Sequence, residues 1–367
     1  MPFIYCLCRE LASFKAMMNI TSNLTEPTVY PGEAMRILQM IVTVLIFVVG
    51  VFLNGLVVWA LGIRVRCRSQ GTAGETQGAG SFRTYVVNLA FADLVLLLRT
   101  PLMLSYLAHN FSWTLGEPTC KVVIYLRCLG LYASAFLLCA VAVERCLCLL
   151  RPVWARLRRP RWVVRLVCTL IWVLAAVLAT PYISTAKLYV DHNHTNCIES
   201  DEGSGKALIA VENIAGFLLP LVIFLSCNIA VLFCAKKTEC GVVAPTSPTS
   251  STGLSYTSQR LTRLYRVLLL TMILFLTCWV PYFTCRFMRA VSPKRSQLYK
   301  GAIGGAYVAL FLVYIKSALN PILYVFAARG LSRTVRESLL STFERVFNDE
   351  FSDSLRRKSL RRKDSQI

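Results

Sequence analysis

The stretch ILQMIVTVLIFVVGVFLNGLVVWALGI, residues 37–63, contains no charged side chain. Because a helix needs about 20 mostly apolar residues to cross the hydrocarbon core of a bilayer, this stretch predicts a membrane-spanning helix. The further predicted spans lie at 84–108, 119–148, 163–184, 208–235, 262–290 and 302–326. The predicted fold class is therefore an all-α membrane protein, a seven-transmembrane helix bundle formed by residues 37–326.

The composition favours a membrane protein over a soluble one. Hydrophobic residues make up 56% of the chain and charged residues only 16%. In soluble globular proteins about a quarter of the residues are charged. The net charge of +21 does not indicate a nucleic-acid partner, because blocks of arginine and lysine alternate with long apolar runs. With three histidines and no cysteine pairs at zinc spacing, we expect no metal site and no cofactor.

The distribution of basic residues predicts the orientation in the membrane. Arginine and lysine are concentrated in alternate loops, within 64–83, 151–161 and 236–260, and again in the tail at 356–363. Because such residues favour the cytoplasmic side, the tail 1–36 is predicted to be extracellular and the C terminus cytoplasmic. The chain is thus predicted to be a multi-pass plasma-membrane protein. Glycosylation sequons on the predicted outer side begin at Asn19, Asn23 and Asn193, and a fourth, at Asn110, lies close to the membrane.

The segments outside the bundle have distinct compositions. Residues 327–346 predict an amphipathic helix that lies on the inner leaflet and contacts membrane lipids. The loops 69–80 and 244–258 are rich in small and polar residues, which predicts flexibility. The tail 347–367 carries predicted phosphorylation sites among basic residues, and their phosphorylation would create a docking surface for arrestin. These sites are Ser352, Ser354, Ser359 and Ser365.

Polar side chains inside the spans are candidates for function, because ionisable groups are costly in a bilayer. Asp93 lies in the middle of the second span and Arg145 near the inner end of the third. Asn320 lies deep in the seventh span, directly before a proline. Pro281 lies in the sixth span, where a proline removes a backbone donor and is expected to kink the helix.

Eight landmarks, taken in chain order, resemble the rhodopsin-like (class A) G protein-coupled receptors. They are Asn54, the LAFAD motif that ends at Asp93, Cys120, Glu144-Arg145-Cys146, Trp172, Pro220, the CWVP motif at 278–281 and the NPILY motif at 320–324. The resemblance covers residues 37–345. It implies a receptor that is not an enzyme and that has a heterotrimeric G protein as its partner.

The resemblance also implies an activation switch. Asp93, Ser134 and Asn320 would form an interior sodium site, and Trp279 would be a toggle beneath the ligand. Arg145 would hold the inactive state and then engage the G protein. The complete set of predicted switch residues is Asp93, Ser134, Glu144, Arg145, Phe275, Trp279, Pro281, Asn320, Pro321 and Tyr324.

Cys120 and Cys197 are both predicted to face an oxidising compartment, so we expect a disulfide between them. The resemblance implies the same bond, which would hold the second extracellular loop over the cavity. The chain also departs from the family pattern. Asn228 stands where a tyrosine is usual, Gly130 replaces a frequent asparagine, and Lys316 replaces an asparagine or histidine. A cation at Lys316 would replace the sodium ion by pairing with Asp93.

Within the family, Leu131-Tyr132-Ala133-Ser134 and the segment from Glu212 to Pro220 resemble the chemoattractant group, most of all the leukotriene B4 receptors. This resemblance implies coupling to an inhibitory-type G protein. In the outer half, four arginines face one glutamate, which indicates a ligand with a carboxylate and an apolar chain. The predicted ligand-binding residues are Arg99, Arg127, Tyr132, Glu212, Tyr282, Arg286, Arg289 and Tyr314. A small anionic lipid is the first choice and a peptide with a free carboxylate the second.

Other interpretations of the same residues stay open or are disfavoured. Arg127 would instead pair with Glu212, which leaves fewer cations for a ligand. A transporter is disfavoured because the seven unequal spans show no internal repeat. An opsin is disfavoured because Tyr314, not a lysine, stands seven residues before the NPxxY proline. A decoy receptor that binds a ligand without signalling remains open, since Cys146 and Asn228 weaken two activation landmarks.

Overall fold

The computed structural model describes residues 33–64, 77–150, 160–191, 194–200, 205–241, 251–294 and 296–327. It contains 7 helices that are long and apolar enough to cross a membrane. This confirms the predicted fold class. The seven spans are Glu33–Gly62, Ser81–Ala108, Gly116–Cys148, Trp162–Thr185, Gly205–Val231, Leu270–Val291 and Gln297–Ile322.

Several spans are built from more than one helical element, and a short β-hairpin joins the fourth span to the fifth. In chain order the elements are α1 Glu33–Val57, a π-helix Val58–Arg64, α2 Gln77–Leu98, α3 Thr100–Ala108, α4 Gly116–Leu150, α5 Arg161–Ala179, α6 Tyr182–Thr185, β1 Ala186–Asp191, β2 His194–Glu199, α7 Gly205–Asn213, a π-helix Ile214–Leu218, α8 Leu219–Gly241, α9 Ser251–Val291 and α10 Gln297–Ala327.

The third span lies at the centre of the bundle, where it packs against the second, fourth and fifth spans. Small and apolar side chains such as Ala133, Ala135 and Leu137 are fully buried along it. The first and fourth spans instead expose large apolar side chains such as Phe52 and Val177 on their outer faces. Because hydrocarbon tails are themselves apolar, such outward faces suit contact with lipid.

Close approach of the second and third spans depends on a glycine. A Cβ atom added to Gly130 would lie 2.8 Å from the Leu96 Cβ and 3.0 Å from the Leu96 Cα and backbone nitrogen. Two of these atoms belong to the backbone, so a flexible side chain cannot simply move away. The glycine at position 130 therefore allows α2 and α4 to come into contact. In the sequence, the same residue was noted only because it replaces an asparagine that is frequent in the family.

The hairpin is fastened to the ends of the spans. Its strands pair antiparallel with Leu188 opposite Cys197. A disulfide joins Cys197 to Cys120 at the start of the third span, as predicted. The backbone N–H of Trp113 donates to the backbone carbonyl of Thr195 at 2.6 Å. Residues 186–191 and 194–199 thus lie against one end of the bundle, which we call the hairpin end.

Some segments differ from the sequence prediction or lie outside the described residues. Helical backbone begins at Gln77 and at Ser251, inside the predicted loops 69–80 and 244–258. The helical parts of these predicted loops are residues 77–80 and 251–258. They contain no proline, so the neighbouring helix can extend into them. Asn110 is exposed in a turn with a positive φ of 56°. Outside the described residues lie Asn19, Asn23, Asn193, Ser352, Ser354, Ser359, Ser365 and nearly all of the predicted helix 327–346.

Replacing Gly130 by alanine is expected to lower the free energy of unfolding by about 1–3 kcal/mol, because α2 and α4 would be forced apart. Gly55→Ala is the matched control, since a Cβ at that helical glycine meets nothing within 4 Å. The control should be neutral or stabilising by up to about 1 kcal/mol. Thermal unfolding of purified protein in nanodiscs measures both. Equal melting temperatures for the two variants would contradict the close contact.

Candidate functional site

Four charged side chains from four elements converge beneath the hairpin. Arg127 comes from the third span, Glu212 from the fifth, Arg286 from the sixth and Glu199 from the end of β2. We call these four residues the arginine–glutamate cluster. The disulfide brings the β2 end close to the third span, since Glu199 follows the bridged Cys197 by two positions. The cluster therefore depends on both the helix packing and the covalent link.

Each arginine of the cluster contacts both carboxylates. The Arg127 Nη1 donates to the Glu212 Oε1 at 2.9 Å, and its Nη2 donates to Glu199. The Arg286 Nη1 lies 2.7 Å from the Glu199 Oε2, and its Nη2 donates to Glu212. The Glu212 residue is only 1% exposed and Arg127 only 5%. A closed ring of alternating charge thus lies away from solvent.

Tyrosine hydroxyls complete the hydrogen bonding of the cluster. The Tyr182 hydroxyl donates to the Glu212 Oε2 at 3.0 Å. The Tyr282 hydroxyl lies 3.1 Å from the Glu212 Oε1 and also contacts the Arg127 guanidinium. Glu212 lies two residues before the start of the π-helix Ile214–Leu218. Such local changes of helical register are frequent at functional sites.

Arg289 extends the cluster toward the hairpin. Its Nη2 donates to the Glu199 backbone carbonyl at 2.9 Å, and its Nη1 lies 3.9 Å from the Glu199 Oε2. Three arginines therefore meet two glutamates, which leaves one excess positive charge at this site. The pairing of Arg127 with Glu212, left open by the sequence, is present. Glu199 was missed, and the available signal was its position two residues after the predicted loop cysteine.

Arg99 and Tyr314 do not join the cluster. Arg99 stands between α2 and α3, where its Nη2 donates to the Met103 Sδ at 2.9 Å. Its guanidinium carbon lies 5.8 Å from the centroid of the Tyr314 ring. Both residues line a separate cavity among the first, second and seventh spans. Arg99 thus lies apart from the other three arginines, because its helix face points toward the first and seventh spans. A role of Arg99 in ligand binding stays a prediction.

Aromatic rings connect the cluster to the interior of the bundle. Phe217 and Phe283 stack with centroids 4.7 Å apart, directly beside Tyr282. From Phe283 the contacts continue to Trp279 at 5.7 Å and from Trp279 to Phe275 at 5.0 Å. Tyr132 is buried in the same layer, close to Gly216. We call Phe283, Trp279 and Phe275 the aromatic row.

The predicted interior polar residues lie together below the aromatic row. The Asp93 carboxylate accepts hydrogen bonds from Ser134 at 3.2 Å and from the Asn320 amide at 2.7 Å. The Lys316 ammonium lies 4.9 Å from the centroid of the Trp279 ring and attracts Asp93 electrostatically. Lys316 is only 2% exposed, so the chain itself supplies a buried cation in this region.

The remaining switch residues lie on α4, α9 and α10. Glu144 is buried, and the Cys148 thiol lies 3.8 Å from its Oε1. The Arg145 guanidinium carbon is 5.3 Å from the centroid of the Phe82 ring. Pro281 and Pro321 lie inside α9 and α10, which are assigned as continuous helices. Tyr324 is part of α10, and its side chain lies outside the described residues.

Glu212→Gln is expected to destabilise the fold by about 3–5 kcal/mol, because it leaves Arg127 and Arg286 buried with half of their opposite charge removed. Glu117→Gln is the matched control, since Glu117 forms an exposed pair with Lys121 at 2.7 Å. That control should leave the melting temperature unchanged. Thermal unfolding in nanodiscs compares the two. A Glu212→Gln variant as stable as the control would mean that the ring does not stabilise the fold.

Comparison with known proteins identifies the family. Residues 53–324 match the family described as 7 transmembrane receptor (rhodopsin family). The C3a anaphylatoxin chemotactic receptor of Danio rerio is 27% identical over 340 residues, 92% of this chain and 84% of that receptor. The C5a anaphylatoxin chemotactic receptor 1 of Rattus norvegicus is 27% identical over 339 residues, 91% of this chain and 86% of that receptor.

A third relative has a different named ligand. The Prostaglandin D2 receptor 2 of Rattus norvegicus is 28% identical over 316 residues, 82% of this chain and 71% of that receptor. The names of the first two support the chemoattractant part of the resemblance, whereas similarity to leukotriene B4 receptors stays a prediction. Because the family match covers well over half of the sequence, this chain belongs to the rhodopsin family of seven-transmembrane receptors.

Proposed function

We propose that this receptor binds a chemoattractant that carries a carboxylate and activates a heterotrimeric G protein of the inhibitory type. The observation that carries the proposal is that Arg127 and Arg286, on different spans, both bury their guanidinium groups against the same two carboxylates. Arginine suits carboxylates because its planar donors form paired hydrogen bonds. Because Arg127 and Arg286 both bind the Glu199 carboxylate, they could bind the carboxylate of a ligand in the same way.

Glu199 is the partner that a ligand would replace. It belongs to the hairpin, whereas Glu212 belongs to a span and is also bonded by Tyr182 and Tyr282. Loop segments open more readily than packed helices. A ligand carboxylate would therefore take the place of Glu199 between Arg127 and Arg286, while Glu212 keeps its bonds. The hairpin end would face the outside of the plasma membrane and the opposite end the cytoplasm.

An anionic lipid is the first candidate for this ligand. The rings of Phe217 and Phe283 lie next to the cluster and offer an apolar surface on which an acyl chain would pack. Binding sites for small molecules commonly combine such an apolar lining with a few placed polar groups. The excess of one positive charge among Arg127, Arg286 and Arg289 over the two glutamates favours an anion.

A peptide with a free C-terminal carboxylate is the second candidate. Glu199 and Glu212 would accept hydrogen bonds from the N–H groups or basic side chains of a peptide, which a fatty acid lacks. Two of the relatives are named as anaphylatoxin chemotactic receptors. Both candidates share the carboxylate, so one experiment with two ligand panels distinguishes them.

Signal transfer would follow the sixth span. Arg286, Trp279 and Phe275 all lie on α9, so displacement of the cluster would act on the aromatic row through one helix. The row in turn contacts Lys316 near Asp93. A ligand shifts such an equilibrium by binding one arrangement better than the other. Arg145 at the opposite end would engage the G protein, and phosphorylated Ser352, Ser354, Ser359 and Ser365 would engage arrestin.

Arg286→Gln is expected to reduce the potency of a carboxylate ligand by roughly 100-fold, because a buried charge-assisted contact is lost. The assay is G protein activation in cells challenged with leukotrienes, hydroxylated fatty acids and chemotactic peptides. Each acid is paired with its methyl ester and each peptide with its C-terminal amide. Arg165→Gln, at an exposed position on the fourth span, is the matched control and should keep wild-type potency.

The opposite change at the hairpin tests the displacement of Glu199. Glu199→Gln removes the competing carboxylate and should raise potency by roughly tenfold, in contrast to the loss at Arg286. Receptor at the cell surface is counted for every variant. A ligand that acts equally well as its ester or amide would refute the carboxylate proposal. A response to peptides with silence toward every lipid would assign the ligand to the second candidate.

Arg145→Ala is expected to lower G protein activation at least tenfold while ligand binding stays within about threefold of wild type, because this position is distant from the cluster. Arg165→Ala serves as the control at the same end of the bundle. Radioligand binding and G protein dissociation are measured on the same membranes. Wild-type receptor that binds its ligand but activates no G protein would instead support the decoy interpretation.

A further inference from the structure

The charge of Arg99 lacks a counter-charge within the described part of the chain. Its Nε and Nη1 atoms are buried and have no hydrogen-bond partner there, and its Nη2 reaches only the Met103 sulfur, a weak acceptor. The residue is 6% exposed. A buried guanidinium in a membrane span normally pairs with an acid or with backbone carbonyls, because an uncompensated charge in a low-dielectric region is costly.

A cavity lies where the missing partner would sit. Its volume is about 20 Å³, and its polar lining includes Arg99, Thr43, Thr100, Tyr307 and Tyr314. Apolar side chains of the first, second and seventh spans form the rest of its lining. One ordered water needs roughly 10–15 Å³ of such space. The cavity therefore has room for a single small species beside the guanidinium.

The unpaired groups around this cavity are donors. Besides the Arg99 guanidinium, the hydroxyls of Thr100 and Tyr314 are buried without a partner among the described residues. The Thr43 hydroxyl donates to the Gln39 carbonyl at 2.6 Å and is already satisfied. Among the residues that the structure describes, no carboxylate lines the cavity. The Arg99 guanidinium and the two hydroxyls can all donate hydrogen bonds, and the guanidinium also carries a positive charge. Without an acid beside them, these groups favour an anion over a cation.

We propose that this cavity, the Arg99 cavity, is a binding site for one small monovalent anion of about the size of chloride. The Arg99 Nε and Nη1 would donate to the anion together with the hydroxyls of Thr100 and Tyr314. A water molecule would accept some of these hydrogen bonds but would leave the charge uncompensated. The anion compensates the charge and so stabilises the junction of the first, second and seventh spans.

This site is separate from the arginine–glutamate cluster. Arg127 and Arg286 are already paired with Glu199 and Glu212, whereas Arg99 is not. The proposal therefore does not depend on the identity of the chemoattractant. The same chemistry would also accept the carboxylate of a small acid, so free halide and carboxylate are compared as separate sources.

The test is the melting temperature of ligand-free receptor in neutral nanodiscs as chloride is raised from zero to 150 mM. Isethionate, which is too bulky for the cavity, keeps the ionic strength constant. Chloride should raise the melting temperature of the wild type by roughly 3 °C, because it binds the folded state. A parallel titration replaces chloride with acetate. A rise with chloride alone identifies the free halide, and a rise with acetate alone identifies a carboxylate.

Two variants assign the effect to this cavity. Arg99→Met removes the charge at similar length and should abolish the rise, whereas Arg165→Met at an exposed arginine should keep it. Thr100→Val removes one hydroxyl without changing the charge and should require at least threefold more chloride for half of the rise. The Thr100→Val variant serves as the test if Arg99→Met does not fold. A flat wild-type response to both anions, or a response unchanged in the folded variants, overturns the proposal.

Discussion

A charge buried between membrane helices must have an opposite charge or strong hydrogen-bond partners, and this constraint organises the structure. The arginine–glutamate cluster meets it with two acids and two bases that come from four different elements. Neither Arg127 nor Arg286 would be stable in its place without the other members. The positions of the third, fifth and sixth spans and of the hairpin are therefore linked through a few atoms, in addition to their apolar packing.

The sequence was sufficient for the architecture and for one polar site. Apolar runs separated by basic loops predicted seven spans, because the bilayer fixes both the length and the composition of a crossing helix. The family resemblance implied an interior sodium site at Asp93, Ser134 and Asn320. Ser134 and Asn320 both donate hydrogen bonds to the Asp93 carboxylate, whereas sodium binding stays a prediction. The disulfide between Cys120 and Cys197 was also predicted. Long apolar runs, an acid within a span and cysteines on the outer side carry information, because the bilayer or the compartment restricts the residues found there.

The sequence was insufficient where position depends on loop placement or on helix rotation. Glu199 is the last residue of β2, and the register of that strand with β1 decides which way the side chain points. From the sequence alone, a carboxylate in the segment between two spans does not stand out. Arg99 was grouped with Arg127, Arg286 and Arg289 because all four arginines lie in the outer half of their spans. Its actual direction is set where α2 gives way to α3. Likewise Gly130 has structural meaning only through the backbone of Leu96.

The paired state of the cluster has a consequence for signalling. A neutral ring of two arginines and two glutamates holds the hairpin and the sixth span in one arrangement while no ligand is bound. In the proposed function, a ligand carboxylate that replaced Glu199 would restore the charge balance of Arg127 and Arg286 but would no longer connect them to the hairpin. The number of ion pairs would then be similar in the free and the ligand-bound receptor, so the two states would differ little in free energy. Such a balance suits a receptor, because a modest binding preference is enough to change the position of α9, which carries Arg286 and the aromatic row.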